Sequence, residues 1–435
     1  MKKLFGTDGI RGVVNRDITA ELAFKIGQVL GFLHPGEKFL IARDTRESGE
    51  MLVHAVVAGL SSQGADVYKC GVLPTPAVAM LTKLDGCKGV VISASHNPYT
   101  HNGIKIFNGG FKLLDEEETE ITKLLKENTI PRNHQIGRIF EYSESEDRYV
   151  QQVVSMFKDS DFRGIRAYVD TANGASYRTT PMVLQNLGIN VTVHYAEPNG
   201  KNINKECGSL HPQALSRIME NADIGILHDG DADRCIIISE DKREVNGDKI
   251  MGLLAPFLLE EGRLPKKTVV GTVMSNLGLE QYLKDNGILF LRTHVGDKYV
   301  LQKMLQTTAN LGGERSGHII FLDRSTTGDG LITALEFLRL VVKTRKSVSE
   351  LSRTILDFPQ ITVNVEVKNK SVARSPQVTE TIESLQRPDI RIIVRPSGTE
   401  NVVRITVEGN QQSEIENIAH KIAAVVRSLD RLSAQ

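Results

Sequence analysis

A strand–loop–helix–glycine–strand rhythm of apolar and polar positions returns three times along the chain. The first instance is the apolar run Phe39-Leu40-Ile41-Ala42, a polar stretch from Arg43 to Gly49, a helix-like segment, and then Gly64-Ala65-Asp66-Val67-Tyr68. The second runs from Ala167-Tyr168-Val169 through Asp170–Gly174 and a helix ending at Leu187 to Gly188-Ile189-Asn190-Val191. Thr268-Val269-Val270 begins the third, followed by Gly271–Asn276, a helix to Leu283, and Gly287-Ile288-Leu289-Phe290. Ahead of these, Thr19 is the expected cap of a helix in which Leu22, Ile26, Leu30 and Leu33 recur at helical spacing as a buried stripe. The repeats predict three related α/β domains with mixed, mostly parallel sheets.

The texture changes at Phe358-Pro359. Ile361–Val367 alternates like a half-buried strand, and Ile390–Val394 and Val402–Val407 flank a polar loop from Arg395 to Asn401. A helix from about Ser413 to Leu429 completes a smaller C-terminal α+β domain. The expected divisions are 1–150, 151–248, 249–357 and 358–435, four domains where the length of 435 residues alone suggests about three.

Composition narrows the function without naming it. Fifty-three basic and 53 acidic side chains cancel, so no whole-chain field favours nucleic acid or an anionic membrane. Cys70, Cys87, Cys207 and Cys235 show no paired or metal-ligand spacing, which suits packing roles in a reducing compartment. No signal segment is legible, and the apolar stretch Met251–Leu259 is too short to span a bilayer. The expected location is cytoplasmic.

Two motifs carry the chemistry. Ile92-Ser93-Ala94-Ser95-His96-Asn97-Pro98 sets a serine hydroxyl in a turn just past an apolar run. Asp229-Gly230-Asp231-Ala232-Asp233-Arg234 follows the apolar strand Ile224–Leu227, at the end where open α/β sheets place ligands. Carboxylates at alternate positions of a curved loop converge on a hard cation such as Mg²⁺, and a nearby guanidinium serves phosphoryl transfer. An EF-hand reading fails because Arg234 stands where glycine is required and Cys235–Ile238 reads as strand. A phosphatase with Asp229 as nucleophile is the sharper rival, and the separate serine motif argues against it. Asn102-Gly103 predicts a tight turn that delivers Lys105, a proton shuttle or phosphate contact. Gly6–Gly12 contributes Arg11. Arg395-Pro396-Ser397-Gly398-Thr399-Glu400 offers a guanidinium and two hydroxyls as a phosphate cradle, and Glu314, Ser316 and His318 suit sugar hydroxyls.

In this order and spacing the motifs resemble the α-D-phosphohexomutase superfamily, and within it most closely the bacterial phosphoglucosamine mutases. The resemblance covers essentially the whole chain. It implies four domains around a central cleft, with Ser95 as the phosphoserine and its phosphate completing Mg²⁺ coordination, one ion per chain, by Asp229, Asp231 and Asp233. Arg234 and Arg11 would neutralise the phosphoryl group in transfer, with Lys105 as general acid or base. Glu314 and Ser316, with His318 near them, would hold the sugar. Arg395, Ser397, Thr399 and Arg404 would grip the phosphate that is not transferred. The resemblance implies interconversion of glucosamine 6-phosphate and glucosamine 1-phosphate, with a phosphoglucomutase or phosphomannomutase of the same mechanism as the alternative; the implied substrate is a small phosphosugar and the implied activator a sugar 1,6-bisphosphate. No nucleic-acid or membrane partner is expected, and a homodimer is left open. Departures from the usual pattern are His101, Asn401 and Arg315, the last adding a cation beside the sugar contacts.

Overall fold

The computed structural model describes residues 4–432 apart from 128, 129, 132, 388 and 398–400. It divides into two compact units: residues 1–274 with 286–354, and residues 275–285 with 355–435.

Within the first unit the described strands form three sheets. In the first sheet the order is Ile10–Val13, His101–Asn108, Lys88–Ile92, Lys38–Arg43, Asp66–Val72, Ile139–Glu141, with Phe111–Lys112 paired to His101–Asn108. The second runs Glu244–Val245, Ile236–Ser239, Ile224–Leu227, Arg166–Asp170, Asn190–His194, and the third Leu289–Thr293, Thr268–Thr272, Leu311–Gly313, Ile319–Phe321. Each repeat read from the sequence is a parallel pair joined by a helix, Gly49–Ser61, Thr179–Asn186 or Leu277–Asp285.

The likeness goes further than the repeats themselves. In every sheet a third strand pairs parallel with the first strand of the repeat, and a fourth returns antiparallel beside the third. Three hairpin connections therefore occupy one topological position: Ser93–Thr100, His228–Cys235 and Glu314–His318. Each leaves the carboxyl end of a parallel strand, where open α/β sheets bind ligands.

Local chemistry explains the elements and corrects two readings. Thr19 Oγ1 accepts from Leu22 N at 3.1 Å, as a helix cap should. The buried face of that helix, Ala20–Leu33, is set by Ala23, Ile26, Gly27, Val29, Leu30 and Gly31, while Leu22 and Leu33 are half-buried. The difference arises from backbone approach: a Cβ on Gly27 would lie 2.3 Å from Val56 O, and one on Gly59 2.2 Å from Phe24 O. Small residues, not a leucine stripe, let these helices touch. Asn102-Gly103, expected as a turn, lies inside the strand His101–Asn108. Glycine is required there because a side chain would meet Ser93 O at 2.5 Å and Ile10 O at 2.8 Å.

The second unit is a three-stranded antiparallel sheet, Gln360–Glu366, Val402–Gly409, Ile390–Pro396, covered by the helix Gln412–Leu432. Its core gathers Val365, Val403, Ile405, Val407, Ile415 and Ile422. The helix Leu277–Asp285 belongs to this unit: Leu277 N donates to Glu408 Oε1 at 3.0 Å, and Gly278 packs against Leu356 O too closely for any Cβ.

Candidate active site

Ser95 is buried and holds φ +51°, in the left-handed region. Its hydroxyl donates to Asp229 Oδ2 at 2.5 Å and stands 3.3 Å from His96 Nδ1. The loop is clamped from behind. Arg46, fully buried and paired with Asp44, donates to Ser95 O at 3.0 Å and to Asn97 O at 2.5 Å. Asn204 Nδ2 reaches the same two carbonyls at 2.9 and 3.2 Å.

Below the serine, Asp229, Asp231 and Asp233 each present a carboxylate oxygen within 4.8 Å of the others, and all three are buried. Lys105 Nζ lies 2.6 Å from Asp231 Oδ2, 3.2 Å from Asp233 Oδ2 and 2.8 Å from Asp8 Oδ2. The Thr75 hydroxyl also donates to Asp231 Oδ2. By contrast Asp231 Oδ1 and Asp233 Oδ1 are buried with no hydrogen-bond partner. Charged, oxygen-only, convergent and partly orphaned, this donor set fits a hard divalent cation of the Mg²⁺ type. Burial and the two neighbouring aspartates push Asp229 up to about 7, a crowding that a divalent cation relieves. Burial acts in the same sense on Asp231, yet Lys105 and Thr75 hold it well below the usual carboxylate range. Burial also opposes the charge on Lys105, but Asp231 and Asp233 outweigh it and keep the ammonium protonated.

Two guanidiniums flank the cage. Arg11 lies in Ile10–Val13 opposite Gly103 and pairs with Asp8, and Arg234 closes the aspartate loop. The Nε atoms of both are buried without an acceptor. The third hairpin loop is stitched to the second by backbone: Cys235 N donates to Gly317 O at 2.9 Å, and Arg234 bridges His318. Glu314 Oε1 accepts from Gly296 N at 2.9 Å, Ser316 lies partly exposed in the turn, and His318 is buried with Nε2 3.7 Å from Asp297. Arg315 turns toward Asp248, 3.7 Å away.

A serine hydroxyl, three convergent aspartates with Arg234, and a polar turn thus come from three equivalent loops, and Arg11 joins them from the strand Ile10–Val13. Four family models match the chain in order: phosphoglucomutase/phosphomannomutase alpha/beta/alpha domain I over residues 2–132, domain II over 147–242, domain III over 246–357, and the C-terminal domain over 363–425. A phosphoglucosamine mutase of Thermosipho africanus is 49% identical over 428 residues, covering 98% of this chain and 99% of the relative. One from Thermotoga maritima is 49% identical over 426 residues, with the same coverage. The chain belongs to the phosphoglucomutase/phosphomannomutase family.

Solved structures agree on the fold. A phosphoglucomutase/phosphomannomutase family protein from Burkholderia thailandensis superposes with TM-score 0.82 at 23% identity, covering 98% of this chain and 97% of the other. Aspergillus fumigatus N-acetylphosphoglucosamine mutase, solved with GlcNAc-6P and magnesium, gives 0.69 at 21% identity, with 98% and 96% covered.

The second unit holds the remaining residues expected of a member of this mutase family. Arg395 and Arg404 stand directly opposite on neighbouring strands, so Arg395 ends a strand where a loop position was expected. Ser397 is buried; its N–H donates to Val402 O at 2.9 Å and its carbonyl accepts from Lys370 Nζ at 2.9 Å. Thr399 lies outside the described residues.

Sequence reasoning assigned no role to Asp8, Arg46, Thr75, Lys112, Asn204 or Asp297. Lys112 bridges Asp8 and Asp297, linking the cage to the surroundings of His318. Arg46, Thr75 and Asp297 all follow the carboxyl ends of parallel strands, the signal that could have found them. Nothing local marks Asn204.

Proposed function

We propose that the chain interconverts glucosamine 6-phosphate and glucosamine 1-phosphate, through a phosphoserine at Ser95 and a glucosamine 1,6-bisphosphate intermediate. The observation that carries the chemistry is the Ser95 hydroxyl at 2.5 Å from Asp229, at the edge of a buried aspartate cage. The choice of amino sugar rests on the relatives, which are phosphoglucosamine mutases at about half identity over nearly their full length.

Asp229, Asp231 and Asp233 would hold the Mg²⁺, with an oxygen of phosphorylated Ser95 as a further ligand. When bound, the ion would supply charge that offsets the developing negative charge on the phosphoryl group. The buried, unengaged Nε donors of Arg11 and Arg234 suit the same task, because preorganised donors need no rearrangement as charge develops. Clamped by Arg46 and Asn204, the Ser95 backbone would keep the hydroxyl oxygen in line for attack. Lys105, buried and ion-paired, would hold a proton near the reacting oxygens. Glu314, Ser316 and His318 would read the sugar hydroxyls.

Phosphoserine first donates to the C1 oxygen. The bisphosphate then turns so that its C6 phosphate faces the emptied serine, which takes it back. Such a cycle needs a distal site that accepts a phosphate on either carbon, and the facing pair Arg395 and Arg404 suits a dianion without reading its attachment. A sugar 1,6-bisphosphate would prime unphosphorylated enzyme. Arg315 points its charge toward Asp248, so the added cation does not argue against an amino sugar. Among the described residues no helix is long and apolar enough to cross a membrane. We place the protein in the cytoplasm, where four unpaired thiols and a phosphosugar substrate belong. A homodimer remains a proposal for light scattering.

Phosphorus NMR tests the reading. Purified protein with Mg²⁺ and a trace of the bisphosphate should turn glucosamine 6-phosphate into the C1-phosphate faster than it isomerises glucose or mannose phosphates. Inorganic phosphate as the main product would replace the mutase with a phosphatase, and label on Asp229 instead of Ser95 would say the same.

A further inference from the structure

Lys105 is a buried charge set among carboxylates. Its side chain is 1% exposed, and its ammonium touches three carboxylates, those of Asp231, Asp233 and Asp8. The contacts to the cage are one-sided. They engage the Oδ2 atoms of Asp231 and Asp233, while the Oδ1 atoms of the same groups are buried without a partner. The ammonium thus engages one oxygen of each of two carboxylates and leaves the other oxygen of each available to a divalent cation.

We propose that Lys105 is a positioning residue of the cage, an internal counter-cation that holds the Oδ2 atoms of Asp231 and Asp233 and thereby loosens the cage's grip on the divalent metal. The proposal rests on the metal reading above. Two effects compete. Orientation by Lys105 favours binding, as outer-shell partners usually do. Its charge opposes binding, because a cation one carboxylate away from a second cation repels it strongly in a buried site.

The structure decides between them. Asp231 does not depend on Lys105 for its pose: Thr75 donates its hydroxyl to Oδ2 and its backbone N–H to the Asp231 carbonyl, the latter at 3.1 Å. Asp231 would stay in place without the lysine, whereas the repulsion would vanish. Asp8 acts oppositely. It pairs with Lys105, Arg11 and Lys112 and is not one of the cage carboxylates, so it offsets the positive charge of the ammonium. The consequence is a metal held loosely enough to exchange in a site with three buried aspartates.

Mn²⁺, followed by the paramagnetic resonance of the free ion, gives a binding constant without turnover. Lys105→Met should bind Mn²⁺ about tenfold more tightly than the parent, and Asp8→Asn about tenfold more weakly. The stabilisation by Mn²⁺ in a thermal melt should grow in the first variant and shrink in the second. Lys105→Gln serves in place of Lys105→Met if the latter fails to fold, with the same expected sign. Opposite signs cannot come from general destabilisation. Unchanged or weaker binding in the lysine variants, or unchanged or tighter binding in Asp8→Asn, overturns the proposal. Asp231→Asn separates this from the underlying reading: binding equal to the parent there would overturn the cage as the metal site, and the role of Lys105 with it.

Discussion

At Ser95 a non-glycine residue holds a left-handed backbone angle, at a cost of about 1 kcal/mol. The turn that aims its hydroxyl at Asp229 demands that angle, so backbone and chemistry can be separated by choice of substitution. Ser95→Gly and Ser95→Ala should both abolish turnover and the mass increment of a phosphoenzyme. In urea unfolding the glycine variant should be the more stable by about 1 kcal/mol. Turnover near the parent level in either would remove Ser95 from the mechanism. His228 offers a prediction in pH. Burial depresses its imidazole from 6.5 to about 4, and its Nε2 has no partner. Between those values the unfolded chain takes up a proton that the folded chain refuses. Stability is therefore retained above pH 6.5 and declines as pH falls toward 4, by roughly 3 kcal/mol from this ring. His228→Gln should narrow the gap between unfolding free energies at pH 7.5 and pH 5; an unchanged gap would mean the ring titrates normally.

Strands and helices were legible because their periodicities were strong, and the serine and aspartate loops because they sit where apolar strands stop. What sequence could not convey was the long-range closure around them. Arg46 and Asn204 meet at the carbonyls of Ser95 and Asn97 from distant parts of the chain. Asn102-Gly103 shows the opposite failure: a dipeptide typical of turns serves inside a strand, because the glycine is needed for close approach of Ser93 and Ile10. The clamp is testable as a unit. Arg46→Met leaves Asp44 buried and uncompensated, at a cost of about 3–5 kcal/mol, and should lower kcat on the order of a hundredfold through misplacement of Ser95. Adding Asp44→Asn should restore much of the stability in urea titrations but not the rate. Recovery of both would assign the pair to folding alone.

Within the first unit one topology is used three times, and in each copy the third-to-fourth strand connection carries candidate site residues. The second unit is built differently and brings cations of its own. Arg395 and Arg404 face each other across a strand pair, and Arg395→Gln should leave the fold intact. The same change should raise KM for the hexose phosphate at least about tenfold, without preventing phosphorylation of Ser95 by bisphosphate. Loss of the phosphoenzyme instead would place that arginine at the transfer step. The four cysteines have a practical consequence. All are buried, and burial pushes Cys87 up to about 11 and Cys70 and Cys207 to about 12. To a maleimide the native surface is therefore blank. A single thiol placed at Lys266, exposed in the turn that enters Thr268–Thr272 at the end of that sheet remote from the Glu314–His318 loop, would carry a fluorophore alone. The enzyme could then be watched through a full catalytic cycle with all four native cysteines left in place.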